Sequence, residues 1–168
     1  TMEHARRYPI LTIACGPTNS IRGASYLSRR DDAIVIDVGG TTTDLGVLSH
    51  GFPRESGVAV TIGGVRTNFR MPDVVSIGLG GGSIVRVADD GSVTVGPDSV
   101  GYAITERALV FGGDTMTATD IAVRLGMASV GDPSLVADIS QDVAERAMAV
   151  MRAMVEDAID VMKVSSDP

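Results

Sequence analysis

The sequence has no tryptophan and only three tyrosines and three phenylalanines, so an aromatic binding surface is not expected. It has one cysteine, Cys15, which rules out an internal disulfide and leaves no cysteine cluster for zinc. This cysteine usage favours a reducing compartment, and we expect a soluble cytoplasmic protein in which Cys15 is a small buried residue.

Long apolar runs are also missing. No stretch approaches the roughly 20 residues that a membrane-spanning helix needs, and the first residues, "TMEHARRYP", lack the apolar segment of a signal peptide. Basic residues are fewer than acidic ones, 14 against 21, which gives a formal net charge of -7. Such a surface would repel nucleic acid and anionic membranes, so neither is expected as a partner. Small anions remain possible where backbone N–H groups converge.

Glycine is abundant, with 20 residues, and hydrophobic residues make up 44% of the chain. This content is enough for one compact core, so we predict a single domain over residues 1–168. The pattern predicts a mixed α/β (α+β) fold in which helices pack on an antiparallel β-meander. Strands are expected at 9–14, at 33–38, within 44–51, at 58–64, and as three further segments within 74–96.

The expected helices have recognisable ends. One short helix should follow Thr18 or Asn19, and another should start after Thr117 or Thr119 and stop at Gly126. A long helix is expected from about residue 140, with an apolar stripe of Val, Ala and Met residues that is typical of core packing. The continuous apolar run at 33–38 predicts a strand buried on both faces.

The segment "DVGGTTTD" (37–44) breaks this regular pattern. Gly39 and Gly40 leave the backbone of a strand-to-strand turn uncovered, so its N–H groups can converge on an oxyanion. The hydroxyls of three threonines add donors: Thr41, Thr42 and Thr43. The flanking carboxylates, Asp37 and Asp44, would repel a bare phosphate but suit one bridged by Mg²⁺ through water. The segment therefore indicates a nucleotide phosphate with a metal, although a plain glycine hairpin is an alternative.

Two familiar phosphate loops fit the sequence poorly. A P-loop needs a lysine and then a helix, whereas residues 39–44 have no lysine and precede the strand-like "LGVL". The second glycine segment, "GLGGGS" (78–83), contains Gly80, Gly81 and Gly82 but is followed by strand-like "IVRV" rather than the helix of a dinucleotide fold. For these glycines, close strand packing and cofactor binding are equally good interpretations.

Other polar residues are weaker candidates. Arg66, Asn68 and Arg70 alternate, so an extended chain would place them on one strand face. They are candidates for contact with the substrate or a phosphate, and the alternative is a solvated face or an ion pair with Asp73. Glu106 and Asp114 are candidates for a general base only because they lie near glycine turns, and "TATD" (117–120) is most simply a helix N-terminus.

"DVGGTTTDLGVL" resembles the second phosphate-binding hairpin of the actin, sugar-kinase and chaperone ATPase superfamily, which implies a ribonuclease-H-like fold. A longer resemblance rests on five segments: "GPTNSIRGASYLS", "VIDVGGTTTDLGVLSHGFPRES", "IGGVRTNFRMPDVVSIGLGGGSIV", "GPDSVGY" and "ALVFGGDTMTATDIAVRLG". Together they resemble the A-type subunit of the hydantoinase/oxoprolinase family. The resemblance implies ATP-dependent opening of a cyclic amide, with a B-type subunit as partner; relatives activate acetone for carboxylation.

The resemblance also implies roles for residues. Gly39, Gly40 and the three threonines would hold the ATP phosphates, while Asp37 and Asp44 would position metal-bound or attacking water. The first phosphate hairpin and the adenosine motif of the superfamily are missing, so we expect a fragment from the second half of a larger ATPase, with a sheet edge able to pair with a second copy. A sugar-kinase-like phosphotransferase and a non-catalytic assembly module are the alternatives. The block at 66–85 favours the hydantoinase pattern over the sugar kinases.

Overall fold

The computed structural model describes residues 2–13, 15–56, 61–62, 64–66 and 71–164. The α-helices are α1 (Met2–Arg7), α2 (Cys15–Ser28), α3 (Ile104–Arg107), α4 (Ala118–Arg124) and α5 (Gln141–Val164). The strands are β1 (Ala33–Val38), β2 (Thr43–Ser49), β3 (Phe52–Pro53), β4 (Thr61–Ile62), β5 (Val65–Arg66), β6 (Val74–Ile77), β7 (Ser83–Val87) and β8 (Val93–Ser99). The chain forms two compact units: residues 1–37 with 44–75, and residues 38–43 with 76–168.

The first unit is built around β2. This strand pairs with β1, with β3 and with β6, and its Leu45 and Leu48 are buried. The β2–β3 pair is antiparallel, with Leu48 opposite Pro53. Only residues 39–42 connect β1 to β2, and because a parallel pair needs a far longer crossover, these strands are antiparallel as well. The predicted meander is confirmed for β1, β2 and β3.

Helix α2 packs on this sheet through a glycine. The buried Ile21 occupies the space beside Gly46, where an added Cβ would overlap its side chain. Arg22, on the same helix, places its guanidinium 4.6 Å from the centre of the Phe52 ring and donates to the carbonyl of Gly51. The first position of α2, Cys15, is exposed, so the expectation that this residue is buried was wrong.

Three predictions for the first unit need correction. Residues Pro9–Thr12 form a 3-10 helix rather than a strand, because Pro9 has no N–H for a ladder and favours the first position of a helical turn. Helix α2 begins before Thr18, at Cys15. Strand β1 is not buried on both faces, since Ile34 and Ile36 are each 41% exposed; among the described residues β1 pairs only with β2.

The strand expected at 58–64 lies mostly outside the described residues. Its described part is β4, which pairs with β5 in antiparallel register, Thr61 opposite Arg66. Of the candidates at 66–70, Arg66 is exposed in β5, and Asn68 and Arg70 lie outside the described residues. Asp73, the expected partner of these residues in an ion pair, accepts hydrogen bonds from Nε and Nη2 of Arg54 at 3.0 and 2.6 Å.

The second unit holds the larger core. Strands β7 and β8 form the predicted antiparallel hairpin, with Val85 opposite Val95, and α5 packs against β8 and α4. The fully or nearly fully buried apolar residues of this core are Leu79, Val85, Val95, Ala108, Val110, Ile121, Val123, Val136, Ile139, Ala144 and Ala147. The predicted apolar stripe of α5 and the start of α4 after Thr117 are confirmed. No helix in the described ranges has both the length and the apolar surface needed to cross a bilayer.

Candidate functional site: the paired glycine loops

The two glycine segments singled out in the sequence meet in the second unit. The amide of Gly81 donates to the carbonyl of Gly39 at 3.0 Å, and the amide of Gly82 donates to the carbonyl of Gly40 at 2.7 Å. Residues 39–42 and 80–82, hereafter the paired glycine loops, are therefore joined backbone to backbone.

Gly80 explains how the paired glycine loops approach so closely. A Cβ at Gly80 would lie 2.6 Å from the nitrogen of Thr41 and 2.7 Å from the oxygen of Gly39, both backbone atoms that cannot move aside like a flexible side chain. A Cβ at Gly82 would lie 3.0 Å from the oxygen of Gly40. Gly80 and Gly82 thus permit close backbone packing, and cofactor binding by Gly80, Gly81 and Gly82 stays a prediction.

The loop at residues 39–42, hereafter the outer loop, has three amides without a partner among the described residues. The amide of Gly39 is used inside the turn, where it donates to the carbonyl of Thr42 at 2.8 Å. The amides of Gly40, Thr41 and Thr42 make no hydrogen bond to any residue that the structure describes, and all three residues are exposed. Adjacent unpaired N–H groups in a tight turn are suited to an anion.

Thr43 differs from the two threonines before it. It is fully buried, and its hydroxyl donates to the carbonyl of Leu79 at 2.6 Å. Ser83 is also fully buried, and its hydroxyl accepts from the amide of Gly80 at 2.9 Å. These two side chains fix the residues on either side of the glycine contact.

Helix α4 holds the loop at residues 80–82, hereafter the inner loop, through Thr119. Both the amide and the hydroxyl of Thr119 donate to the carbonyl of Gly81, at 3.0 and 2.9 Å. Thr117 is the N-cap of this helix and forms a capping box with Asp120. The "TATD" segment is therefore the predicted helix N-terminus and, in addition, a support of the glycine loops.

Asp120 is fully buried, and its carboxylate accepts four hydrogen bonds. It accepts from the amides of Val110 and Thr117, each at 2.7 Å, from the hydroxyl of Thr117 at 2.8 Å, and from the amide of Leu109 at 3.3 Å. The sequence did not predict that Asp120 is a buried hydrogen-bond acceptor, because the donors at 109 and 110 come from a separate turn. The T-x-x-D spacing of the capping box was the only visible signal.

An apolar pocket of about 220 Å³ lies beside the paired glycine loops. It is lined by Val38, Thr43, Leu79, Gly80, Gly81, Ala118, Thr119, Ala122, Met148, Met151 and Val155. The hydroxyls of Thr43 and Thr119 are already donated to backbone carbonyls. The wall of the pocket is therefore apolar apart from backbone groups and two hydroxyls that already donate to carbonyls.

The candidate metal ligands lie on paired strands of the first unit. Asp37 is exposed near the end of β1, and Asp44 is half-buried near the start of β2. The described residues contain no group of three or more His, Cys, Asp or Glu side chains that could hold a metal ion. Mg²⁺ usually binds through one or two carboxylates together with substrate phosphates, so this donor set fits a metal that arrives with a nucleotide.

The other acidic candidates are exposed. Glu106 lies on α3, and Asp114 accepts a hydrogen bond from the hydroxyl of Thr115 at 2.8 Å. The structure brings together Gly39, Gly40, Thr41 and Thr42 with Gly80, Gly81 and Gly82. A role as general base for Glu106 or Asp114 stays a prediction.

The fold is shared with two larger solved structures. The nucleotide-free structure of acetone carboxylase, from work on ATP-dependent acetone carboxylation, matches with a TM-score of 0.65 and 23% identity over 91% of this chain and 24% of that chain. The ATP-dependent caprolactamase of Pseudomonas jessenii matches with a TM-score of 0.63 and 21% identity over 89% of this chain and 24% of that chain. These likenesses confirm the predicted mixed α/β fold class.

The family follows from the sequence comparison. A family model described as hydantoinase/oxoprolinase matches residues 1–166, so the chain belongs to the hydantoinase/oxoprolinase family, as its motifs predicted. The acetophenone carboxylase gamma subunit of Aromatoleum aromaticum is 31% identical over 115 residues, which are 66% of this chain and 16% of that protein. The chain thus spans about a sixth of this relative and about a quarter of each solved structure.

Proposed function

We propose that the paired glycine loops bind the phosphates of ATP. The observation that carries this proposal is that the amides of three exposed residues, Gly40, Thr41 and Thr42, have no partner among the described residues. The carbonyls on the other side of the same turn, those of Gly39 and Gly40, are bonded to Gly81 and Gly82. The turn therefore has three adjacent amides without a partner among the described residues, while the carbonyls of Gly39 and Gly40 are already bonded, a combination that suits an oxyanion.

Each residue has a defined task in this proposal. The amides of Gly40, Thr41 and Thr42 donate to phosphate oxygens, and the hydroxyls of Thr41 and Thr42 add two further donors. Thr43, with its hydroxyl bonded to Leu79, anchors the turn. Gly80, Gly81 and Gly82 hold the backbone in place before the nucleotide arrives, so binding requires little reorganisation.

Asp37 and Asp44 bracket the turn in the chain, and we assign them to Mg²⁺ and to the orientation of water. A metal carrying its own water ligands needs only one or two carboxylates. When bound, Mg-ATP supplies a phosphoryl group that activates a carbonyl oxygen. The exposure of Asp37 leaves its carboxylate accessible to a hydrated ion.

We propose the reaction as ATP-dependent opening of a cyclic amide, of the hydantoin or 5-oxoproline type. The family description supports this class, as does the fold shared with an ATP-dependent caprolactamase, whose name denotes a cyclic amide. The second candidate is ketone carboxylation, favoured by the 31% identity to an acetophenone carboxylase subunit. Both reactions start from a carbonyl group. Arg66, exposed in β5, is proposed to contact the substrate together with Asn68 and Arg70.

The chain is proposed to work as part of a longer ATPase with a B-type subunit, because the relative from Aromatoleum aromaticum is named as a subunit. We further propose that the edge of β1, with Ile34 and Ile36 exposed, pairs with a second copy when the chain is isolated. Light scattering of the isolated chain tests this pairing: a Ile34→Lys variant should be monomeric, and a monomeric unsubstituted chain would overturn the proposal.

Calorimetry and amide NMR of the 168-residue chain test the nucleotide proposal. Mg-ATP and Mg-ADP should bind and shift the amide signals of Gly40, Thr41 and Thr42, whereas AMP, which lacks the outer phosphates, should do neither. Shifts confined to other parts of the chain, or no binding of either magnesium nucleotide, would contradict it.

A separate assay decides between the two reactions. ADP release by the complete enzyme should rise on addition of hydantoin or 5-oxoproline without bicarbonate. A rise only with acetone or acetophenone together with bicarbonate would identify carboxylation instead.

A further inference from the structure

The carbonyl of Gly81 connects two parts of the second unit. It accepts two hydrogen bonds from Thr119, at 3.0 and 2.9 Å, while the amide of the same residue donates to Gly39 at 3.0 Å. Any displacement of Thr119 therefore acts directly on the inner loop. Through the Gly81–Gly39 bond it also acts on the outer loop.

Thr119 is in turn held in place by a buried charge. It lies between Thr117 and Asp120 in the first turn of α4, and the carboxylate of Asp120 binds both the amide and the hydroxyl of Thr117. The same carboxylate binds the amides of Leu109 and Val110. A fully buried carboxylate with these partners fixes the start of the helix against the neighbouring turn.

We propose that Thr119 and Asp120 are positioning residues for the paired glycine loops, so that the first turn of α4 sets nucleotide affinity without touching the nucleotide. The proposal rests on the phosphate-binding role proposed above. The order of contacts is Asp120 to Thr117, then Thr119 to Gly81, and Gly81 to Gly39. Since Thr119 also lines the apolar pocket, a valine of similar shape suits this position.

The test compares Thr119→Val with Thr119→Ser. Valine removes the hydroxyl donor but keeps the branched shape, and we expect the affinity for Mg-ATP to fall about tenfold, the equivalent of one hydrogen bond. Exchange of the Gly81 and Gly82 amide hydrogens should become faster by a similar factor, while the midpoint of global unfolding changes little. Serine restores the hydroxyl and should recover both affinity and amide protection.

Thr115→Val is the matched control. The hydroxyl of Thr115 donates to Asp114 at 2.8 Å, and no contact from it reaches the glycine loops in the described residues. This variant should leave affinity and exchange unchanged. Asp120→Glu, which retains the charge but displaces the carboxylate, should weaken nucleotide binding in the same direction as Thr119→Val.

The outcomes separate the two proposals. Unchanged affinity and unchanged exchange in Thr119→Val would overturn the positioning role, and so would faster exchange with unchanged affinity. Failure of the unsubstituted chain to bind any magnesium nucleotide would overturn the proposed function. In that case amide hydrogen exchange alone decides the positioning role. Unchanged exchange rates of the Gly81 and Gly82 amides in Thr119→Val would refute it.

Discussion

Gly80 lies so close to Thr41 that a Cβ on Gly80 would stand 2.6 Å from the amide nitrogen of Thr41. Gly80→Ala should therefore force the two backbones apart and lower the free energy of unfolding by about 1–3 kcal/mol, the usual cost of overpacking. Urea unfolding measures the change.

Gly40→Ala is the matched control for this substitution, since a Cβ at Gly40 meets nothing within 4 Å. Its effect on unfolding should stay within about 1 kcal/mol, in either direction. Equal losses of unfolding free energy in the two variants would show that the close approach of Gly80 to Thr41 is not the reason why position 80 requires glycine.

Asp120→Asn should be strongly destabilising. The carboxylate accepts four hydrogen bonds, whereas an amide presents one oxygen and directs its NH₂ group at donors. We expect a loss of about 2–4 kcal/mol in the free energy of unfolding, typical of a broken buried network. Thermal and urea unfolding provide the measurement.

Asp142→Asn provides the comparison for Asp120. Asp142 lies exposed at the start of α5, where it pairs with Arg146, and its loss should cost less than about 1 kcal/mol. A loss in Asp120→Asn as small as that would mean that the buried network contributes little.

Ala147→Leu should disturb the core of the second unit. Ala147 is fully buried on α5, and the added side chain should cost about 1–3 kcal/mol. Ala149→Leu, on the exposed side of the same helix, should change the unfolding free energy by no more than about 0.5 kcal/mol. A larger loss of unfolding free energy for Ala149→Leu than for Ala147→Leu would contradict the packing of Ala147 in the core.

Asp132 provides a pH test. Hydrogen bonds from the hydroxyl and the amide of Ser134, at 2.7 and 2.9 Å, hold the pKa of Asp132 below its ordinary value. A lowered pKa in the folded state favours folding above the ordinary pKa, and this contribution disappears as the pH falls through the lowered value. Ser134→Ala should raise the pKa of Asp132 in an NMR titration of the carboxyl carbon.

Asp90 serves as the internal reference in that titration. Its pKa is lowered by hydrogen bonds from the amide and hydroxyl of Ser92, so Ser134→Ala should leave it unchanged. A parallel rise at Asp90 would point to a general change in the protein rather than to the lost Ser134 hydroxyl.

Periodicity and capping chemistry are local, and they predicted the elements that depend on them. The stripe of α5, the cap at Thr117 and the β7–β8 hairpin all follow from residues close together in the chain. The 3-10 helix at Pro9–Thr12 was missed because an apolar, β-branched run is compatible with several structures and the proline decided among them. The exposure of β1 was missed because an apolar run does not show how many strands cover it.

The candidate site was predictable only in parts. Each glycine segment is conspicuous by itself, but nothing in the sequence shows that Gly81 bonds to Gly39 or that Gly80 needs the space beside Thr41. The hydrogen bonds of Asp120 were equally hard to predict, because two of its donors come from a turn about ten residues earlier in the chain. Contacts between distant segments depend on the tertiary fold, which local patterns do not encode.

Residues 38–43 belong to the second unit although the chain on both sides of them belongs to the first. The partners of their carbonyls, Gly81 and Gly82, and the helix turn that carries Thr119 all come later in the chain. During synthesis on a ribosome, a nascent chain that has emerged only through residue 75 has none of these partners. These contacts can therefore form only after synthesis has passed Thr119, 44 residues beyond residue 75, so the turn is completed after the first unit has been translated.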